Sequence, residues 1–349
     1  MMTIGIFGSA HDREVHTLNR RLLNRGVESR IVDLSLFPRN STITIEGDDI
    51  VIDGKSLFEM DAAFLRSRGI NLPDFIRYEE TIRVQPKTAW EDLYIPYCRY
   101  VRSEKQYQCI RNAVLASFTS RRKLINSLEQ NDLHRLKTHL CLHLYSHGVR
   151  VPQFMAATSS KALSPFIVES RRRSKHVVTK PMAGIYKTKL YTEEEPRGNA
   201  VFYQHYVKGD TVRCYVLDDE LIASAVVHHS GSVDSSVNQT GIDVISLPRE
   251  TVNMVRYTAG LLGLCFCGID LIREEDTGEY FVVDVNISPM FVNFARQSFI
   301  DIPALIADCL IGYAQKQRGI AQSRFPMLEQ AKDILSTDPD IRKLIRPEG

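Results

Sequence analysis

Three oxygen-bearing side chains sit where an apolar strand gives no reason for them. In the run Phe281-Val282-Val283-Asp284-Val285-Asn286-Ile287, residues two apart share a face, so Asp284 and Asn286 project together while Val283, Val285 and Ile287 are expected in the core. Upstream, Gly268-Ile269-Asp270-Leu271-Ile272 is a second apolar run, and Asp276-Thr277-Gly278 between the two reads as a hairpin turn. With the pivot near Thr277, Asp270 falls opposite Asp284, Cβ atoms about 5 Å apart. Like charges at that separation disfavour joint ionisation, and a hard divalent cation resolves the conflict. An all-oxygen donor set too small for a full shell suits Mg²⁺, with Mn²⁺ as the alternative. A solvated acidic turn is the competing explanation, since Glu274, Glu275, Asp276 and Glu279 are near. Those four form the turn itself, whereas Asp270, Asp284 and Asn286 lie inside apolar runs.

Cations that could meet phosphate oxygens come next. Lys180 ends the apolar run Val177-Val178-Thr179 just before Pro181, at a strand end beside a loop containing Gly184, where a fixed point charge suits a phosphate. Lys137 lies in the helical stretch Leu133–Leu144, and by itself reads as a surface lysine. Arg213, inside the strand-like segment Val212–Leu217, needs an anionic partner unless it lies on an exposed face. Arg171-Arg172-Arg173-Ser174-Lys175 reads as a solvated loop, and His228-His229 as the close of a strand. No G-x-S-x-G elbow, no G-x-x-x-x-G-K-[ST] loop and no G-x-G-x-x-G turn occurs, which removes the usual serine hydrolases, P-loop NTPases and dinucleotide sites.

The elements that must position these residues follow from periodicity. Thr3–Gly8 reads as a buried strand, Glu14–Gly26 as a helix with Val15, Leu18, Leu22 and Leu23 on one stripe, and Arg30–Leu34 as a second strand: a β-α-β start with a parallel sheet. Residues 43–52 suggest a hairpin and 62–66 a strand. Glu104–Gly148 is helical in two or three pieces, and a short strand runs into Pro152. Strands at 177–180, 200–204, 212–217 and 221–227 follow, with Asp218-Asp219 as a tight turn, then a helix at 251–264, the hairpin and a helix at 302–319. This gives an α/β (α+β) chain with a Rossmann-like N-terminal α/β domain at 1–105, a helical linker and central subdomain at 106–205, a C-terminal subdomain with the metal site at 206–318, and a polar tail at 319–349.

Composition narrows the class. The 349 residues carry 44 basic and 42 acidic side chains, formal charge +2, so no global field attracts nucleic acid or an anionic membrane. Seven cysteines, with no C-x-x-C spacing, read as reduced thiols, and Cys265-x-Cys267 as core. No run reaches the about 18 apolar residues of a membrane span, and the N-terminus carries no export signal, so a soluble cytoplasmic protein is expected.

In this order the residues resemble the ATP-grasp superfamily, in particular its RimK-like and glutathione-synthetase-like ligases, over about residues 120–315. The resemblance implies an ATP-grasp fold and an ATP- and Mg²⁺-dependent ligase joining a carboxylate to an amine through an acyl phosphate, with release of ADP and phosphate. Val177–Gly184 is similar to the family's strand, lysine and lid. It implies that Lys180 and Lys137 contact ATP phosphates, that Gln204, His205, Tyr206 and Val207 form the adenine hinge, and that Asp210 serves the nucleotide and Arg213 the phosphoryl group, in a G-x-D-x-R-like stretch of altered spacing. Asp270, Asp284 and Asn286 would hold the metal. Asp284 stands where the family usually has glutamate, and Met290 where glycine commonly follows Ser-Pro. Small-molecule or peptide acids and amines are the implied substrates, without nucleic-acid or membrane partners, and homo-oligomerisation is open. Tyr191-Thr192, Val233–Pro248 and Asp33–Pro38 faintly resemble ligases that cross-link ribosomal peptides. A kinase acting on a small hydroxyl substrate and a catalytically altered nucleotide-binding protein are the alternatives.

Overall fold

The computed structural model describes residues 1–37, 40–66, 90–127, 136–157, 160–173, 175–181, 188–191, 201–229 and 239–319. Gly184 and its loop, Thr192, residues 230–238 and the tail beyond Gly319 lie outside these residues. The chain forms two compact units, one of Met1–Leu124 with the segment from Asp301 onward, the other of Ile125–Ile300.

In the first unit the buried strand β1 (Thr3–Phe7) leads to α1 (Arg13–Leu23), whose first turn is capped by the Asp12 carboxylate accepting from the backbone N–H groups of Glu14 and Val15. Val15, Leu18 and Leu22 are buried as expected, but Leu23 is exposed, because one residue past Leu22 rotates about 100° around the helix. β2 (Glu28–Val32) pairs in parallel with β1. β3 (Ile43–Glu46), β4 (Asp49–Ile52) and β5 (Lys55–Ser56) make a separate antiparallel sheet, turning at Gly47-Asp48. β6 (Ala62–Leu65) lies parallel to β1 on its other side. A 32-residue helix, α2 (Trp90–Arg121), then precedes β7 (Lys123–Ile125), giving the order β2-β1-β6-β7. The expected helical stretch from Glu104 is thus interrupted by a short strand.

The second unit opens with α3 (Lys137–Ser146), stopped at Gly148, which takes a positive φ of 76°. β8 (Phe154–Ala157), α4 (Ser160–Arg172), β9 (Val177–Pro181), β10 (Lys189–Leu190) and β11 (Val201–His205) follow; the strands form an antiparallel sheet of order β10-β9-β11-β8. The expected loop at Arg171–Lys175 therefore begins as the end of α4, where Arg173 pairs with Glu169 one turn back. β12 (Gly209–Leu217), β13 (Glu220–His229), β14 (Gln239–Val244), α5 (Arg249–Leu261), β15 (Phe266–Glu274) and β16 (Tyr280–Asn286) build a five-stranded sheet of order β14-β13-β12-β15-β16. Asp218 and Asp219 both have positive φ, 50° and 67°, as a two-residue turn matched to strand twist requires. One face of this sheet, through Val212, Cys214, Val216, Ile269, Leu271, Val282 and Val285, packs on Leu140 and Leu144 of α3 and Val255 and Ala259 of α5. Two helices are the last described elements: α6 (Val292–Ser298), and α7 (Ile302–Gln317), which joins the first unit by pairing Asp308 with Arg25 and Asp301 with Arg21.

The hairpin departs from simple alternation in one place. Near its turn Arg273 opposes Tyr280 and Leu271 opposes Val282, a register that would set Asp270 against Val283. A bulge skips Val283, and Asp270 opposes Asp284. Val283, expected in the core, is only half-buried, while Val282 and Val285 fill the core on either side.

Candidate functional site

The polar face of the five-stranded sheet collects the charged residues in one row. Arg213 on β12 opposes Asp270 on β15, which opposes Asp284 on β16. Because residues directly opposite share a face, all three project away from the Val212–Val282 core. Arg213 grips Asp270 with two parallel hydrogen bonds, Nε to Oδ1 at 2.7 Å and a terminal nitrogen to Oδ2 at 2.8 Å. Asp270 raises the Arg213 pKa, against the opposing effect of burial, so the guanidinium stays charged.

Two lysines arrive from other elements. Lys137, the first residue of α3, pairs with the Asp284 carboxylate. Lys180, near the end of β9, is half-buried and donates to the carbonyl of Val283 at 3.1 Å, the peptide exposed by the bulge. Burial lowers the Lys180 pKa, with the Asp284 charge pulling the other way. In its helical stretch Lys137 by itself reads as a surface lysine, and only the resemblance assigns it to phosphate; in the fold it meets a residue 147 positions away. One turn after Lys137, Cys141 is buried beside the same charges, and its thiol is pushed up to about 11, chiefly by burial, with Lys180 opposing and Asp284 reinforcing. Neither the sheet pattern nor the motifs drew attention to Cys141, although its i, i+4 spacing from Lys137 places it on the same helix face.

Asn286 shares the face of Asp284, and its Oδ1 accepts from the Ser288 backbone at 3.0 Å. Beyond it the Ser288-Pro289 turn folds over Gly268, where a Cβ would come within 2.9 Å of the Pro289 Cβ. Tyr215 donates its hydroxyl to the Met290 carbonyl at 2.6 Å. The Met290 side chain is exposed and its φ is not positive, so the turn does not require glycine there. A buried residue that sequence reasoning missed, Asn126, staples this end: its amide donates to the carbonyls of Phe266 and Ile287 and accepts from the Phe266 N–H.

The expected hinge residues occupy the end of β11 and the connection into β12. Gln204 is buried, and its amide nitrogen has no hydrogen-bond partner among the described residues. His205 stacks on Phe166 with ring centroids 5.0 Å apart and shares a 2.8 Å hydrogen bond with Ser170; burial, then Lys175 and Arg173, lower its pKa. Tyr206 donates its backbone N–H to His176, and Val207 follows in the connecting turn.

Asp210 is not brought into the row. Two residues rather than one separate it from Arg213, so the regular β12 register turns it to the opposite face, where it pairs with Arg273 at 2.5 Å. Thr211, buried, takes the position on the Arg213 face. Before it, Gly209 has φ 153°, and a Cβ there would lie 1.9 Å from the Arg273 carbonyl oxygen. Asp210, Tyr206, Lys208, Arg273 and Glu275 line a separate groove of about 630 Å³.

Two carboxylates and an amide oxygen on one face form an all-oxygen donor set, which fits a hard divalent cation such as Mg²⁺. With three flanking cations, the same face fits a polyanion. Among the described residues no group of three or more His, Cys, Asp or Glu side chains is placed to hold a metal alone, and no helix is long and apolar enough to cross a membrane.

Comparison with known proteins places these residues in context. The family profile of the RimK-like ATP-grasp domain matches residues 137–310, the segment that carries the row, both lysines and the hinge. The chain is 24% identical over 135 residues to tetrahydromethanopterin:alpha-L-glutamate ligase of Methanocaldococcus jannaschii, covering 37% of this chain and 46% of that protein. It is 24% identical over 224 residues to human N-acetylaspartylglutamate synthase A, covering 56% and 54%. The chain thus spans about half the length of these relatives. Among solved structures, ATP-grasp ligase PsnB complexed with a phosphomimetic variant of minimal precursor, Mg and ADP superposes with a TM-score of 0.73 at 23% identity, over 90% of this chain and 99% of that one. Macrocyclase MdnC of Microcystis aeruginosa MRC, bound with precursor peptide MdnA, gives 0.69 at 15% identity, over 89% and 100%. The α+β fold is the ATP-grasp fold, preceded by a Rossmann-like parallel sheet.

Proposed function

Because the chain belongs to the RimK-like ATP-grasp superfamily, we propose that it is an ATP- and Mg²⁺-dependent ligase that joins a carboxylate to an amine. The observation that carries this reading is the meeting of Lys137, Lys180 and Arg213 with Asp270 and Asp284 on one sheet face. Lys180 and Lys137 would hold the terminal phosphates of ATP, and Arg213 would face the phosphoryl group in transfer. Gln204 to Val207 would hold adenine, the buried amide of Gln204 offering donors to a base edge. Asp270, Asp284 and Asn286 would hold Mg²⁺, which when bound neutralises phosphate charge.

In this scheme a carboxylate oxygen attacks the γ-phosphorus, the β–γ bridging P–O bond breaks, and ADP leaves. Fixed cations are most effective where charge develops on the transferred group. The amine then attacks the acyl carbon of the mixed anhydride, the C–N bond forms, the C–O bond to phosphate breaks, and the nitrogen loses a proton. Holding acid and amine in one site lowers the entropic barrier to both steps. Peptide substrates are the first to test, because PsnB and MdnC, whose whole length this chain matches, are described with peptide precursors. A boundary near 205, between β11 and β12, and a cytoplasmic setting belong to the same reading; the boundaries expected at 105 and 318 give way to the two compact units, because residue 105 lies within α2 and α7 packs with the first unit.

Product analysis with pooled acids, amines and peptides tests it. ADP and phosphate in equal amounts with an amide product is the expected result. AMP and pyrophosphate would refute the mechanism, a stable phosphorylated product would establish a kinase, and Mg-ATP binding without turnover would establish a nucleotide-binding protein.

A further inference from the structure

Each carboxylate assigned to the metal is already held by a cation of the chain, Asp270 by Arg213 and Asp284 by Lys137. We propose that these two ion pairs form an internal gate that keeps a divalent cation out of the site until nucleotide phosphates draw Lys137 and Arg213 away. The inference rests on the reading of this face as the Mg-ATP site and concerns the order in which its ligands arrive.

Lys137, Lys180 and Arg213 outnumber Asp270 and Asp284, so in formal charge the cluster carries +1 and offers an anion a better reception than a cation. A divalent ion entering alone would have to break a two-pronged arginine grip and a lysine pair, and then sit beside three positive charges with only two carboxylates and an amide to offset them. A triphosphate reverses this balance, since its oxygens take over Lys137, Lys180 and Arg213 as partners. Asp270 and Asp284 are then released together, on the same face and directly opposite one another. The position of Lys137 suits such an exchange: it is the first residue of α3, the helix packed through Leu140 and Leu144 on the sheet's other face, so its side chain can change partner while the helix stays fixed.

The test is Mn²⁺ binding followed by electron paramagnetic resonance, which needs no turnover. Wild-type protein without nucleotide is expected to leave Mn²⁺ free across the range in which one ion per chain binds once a non-hydrolysable ATP analogue is present. Lys137→Met should bind Mn²⁺ without nucleotide at least about tenfold more tightly than wild type. Arg213→Met, releasing the other carboxylate, should move in the same direction and serves as the second variant if the first does not fold. Equal Mn²⁺ affinity with and without the analogue in wild type would overturn the gate, as would unchanged nucleotide-free affinity in both variants. Titrating the analogue in EDTA separates the two levels of the account: wild type that fails to bind it with or without metal contradicts the Mg-ATP site itself, whereas metal-free binding combined with unchanged Mn²⁺ affinity in the variants contradicts only the gate.

Discussion

Arg213 and Asp270 stand directly opposite each other on β12 and β15 and are joined by two parallel hydrogen bonds of 2.7 and 2.8 Å. The side chains are 27% and 17% exposed, enough withdrawal from water for the pair to matter to folding as well as to charge placement. Arg213→Met or Asp270→Asn should cost about 1–3 kcal/mol in urea unfolding, because each strands a partly buried partner. In a double-mutant cycle the two losses should couple. Additive losses would show that the pair contributes nothing beyond its separate members.

Asn126 makes three hydrogen bonds to backbone groups of Phe266 and Ile287 while only 2% exposed. Asn126→Ala removes all three and should destabilise the protein by about 3 kcal/mol or more, measured by chemical denaturation. Asn126→Asp should not rescue it, since a carboxylate would face two carbonyl oxygens. A loss below about 1 kcal/mol would mean that water replaces the amide there.

How much of this was legible in the sequence varies residue by residue. Asp270 opposite Asp284 followed from two apolar runs around one turn, yet it is realised through a bulge that period-two alternation cannot foresee, and Val283 was misplaced for that reason. The charge conflict between the two carboxylates was also legible. Its resolution was not, because the partners are Arg213 and Lys137, 57 and 147 positions from the carboxylates they meet, and distance along the chain hides such pairs. The extra residue between Asp210 and Arg213 was visible, and the strand's two-residue period gives its consequence, opposite faces. Asn126 gave no signal, since a lone polar residue in a short strand region has no pattern.

Glu14 supplies a pH dependence in the first unit. Burial first, then a hydrogen bond to Asp12, raise its pKa above 4.5, with Arg66 opposing. A carboxyl raised in the folded state contributes stability that is fully present below its unfolded pKa and is lost as pH climbs through the raised value. Glu14→Gln, which keeps the neutral shape, should therefore raise the melting temperature at pH 7 and leave it little changed at pH 4. A lower melting temperature at pH 7 would show that the contact with Arg66, 3.6 Å away, outweighs the desolvation of Glu14.

The claim that the Lys180 face binds Mg-ATP is tested most directly by calorimetric titration of a non-hydrolysable ATP analogue with Mg²⁺ into wild type and Lys180→Met. One nucleotide should bind per wild-type chain, and the variant should bind about 10- to 100-fold more weakly, the loss of one charged hydrogen-bond partner. Equal affinity in the two proteins, or no saturable binding by wild type, would contradict it.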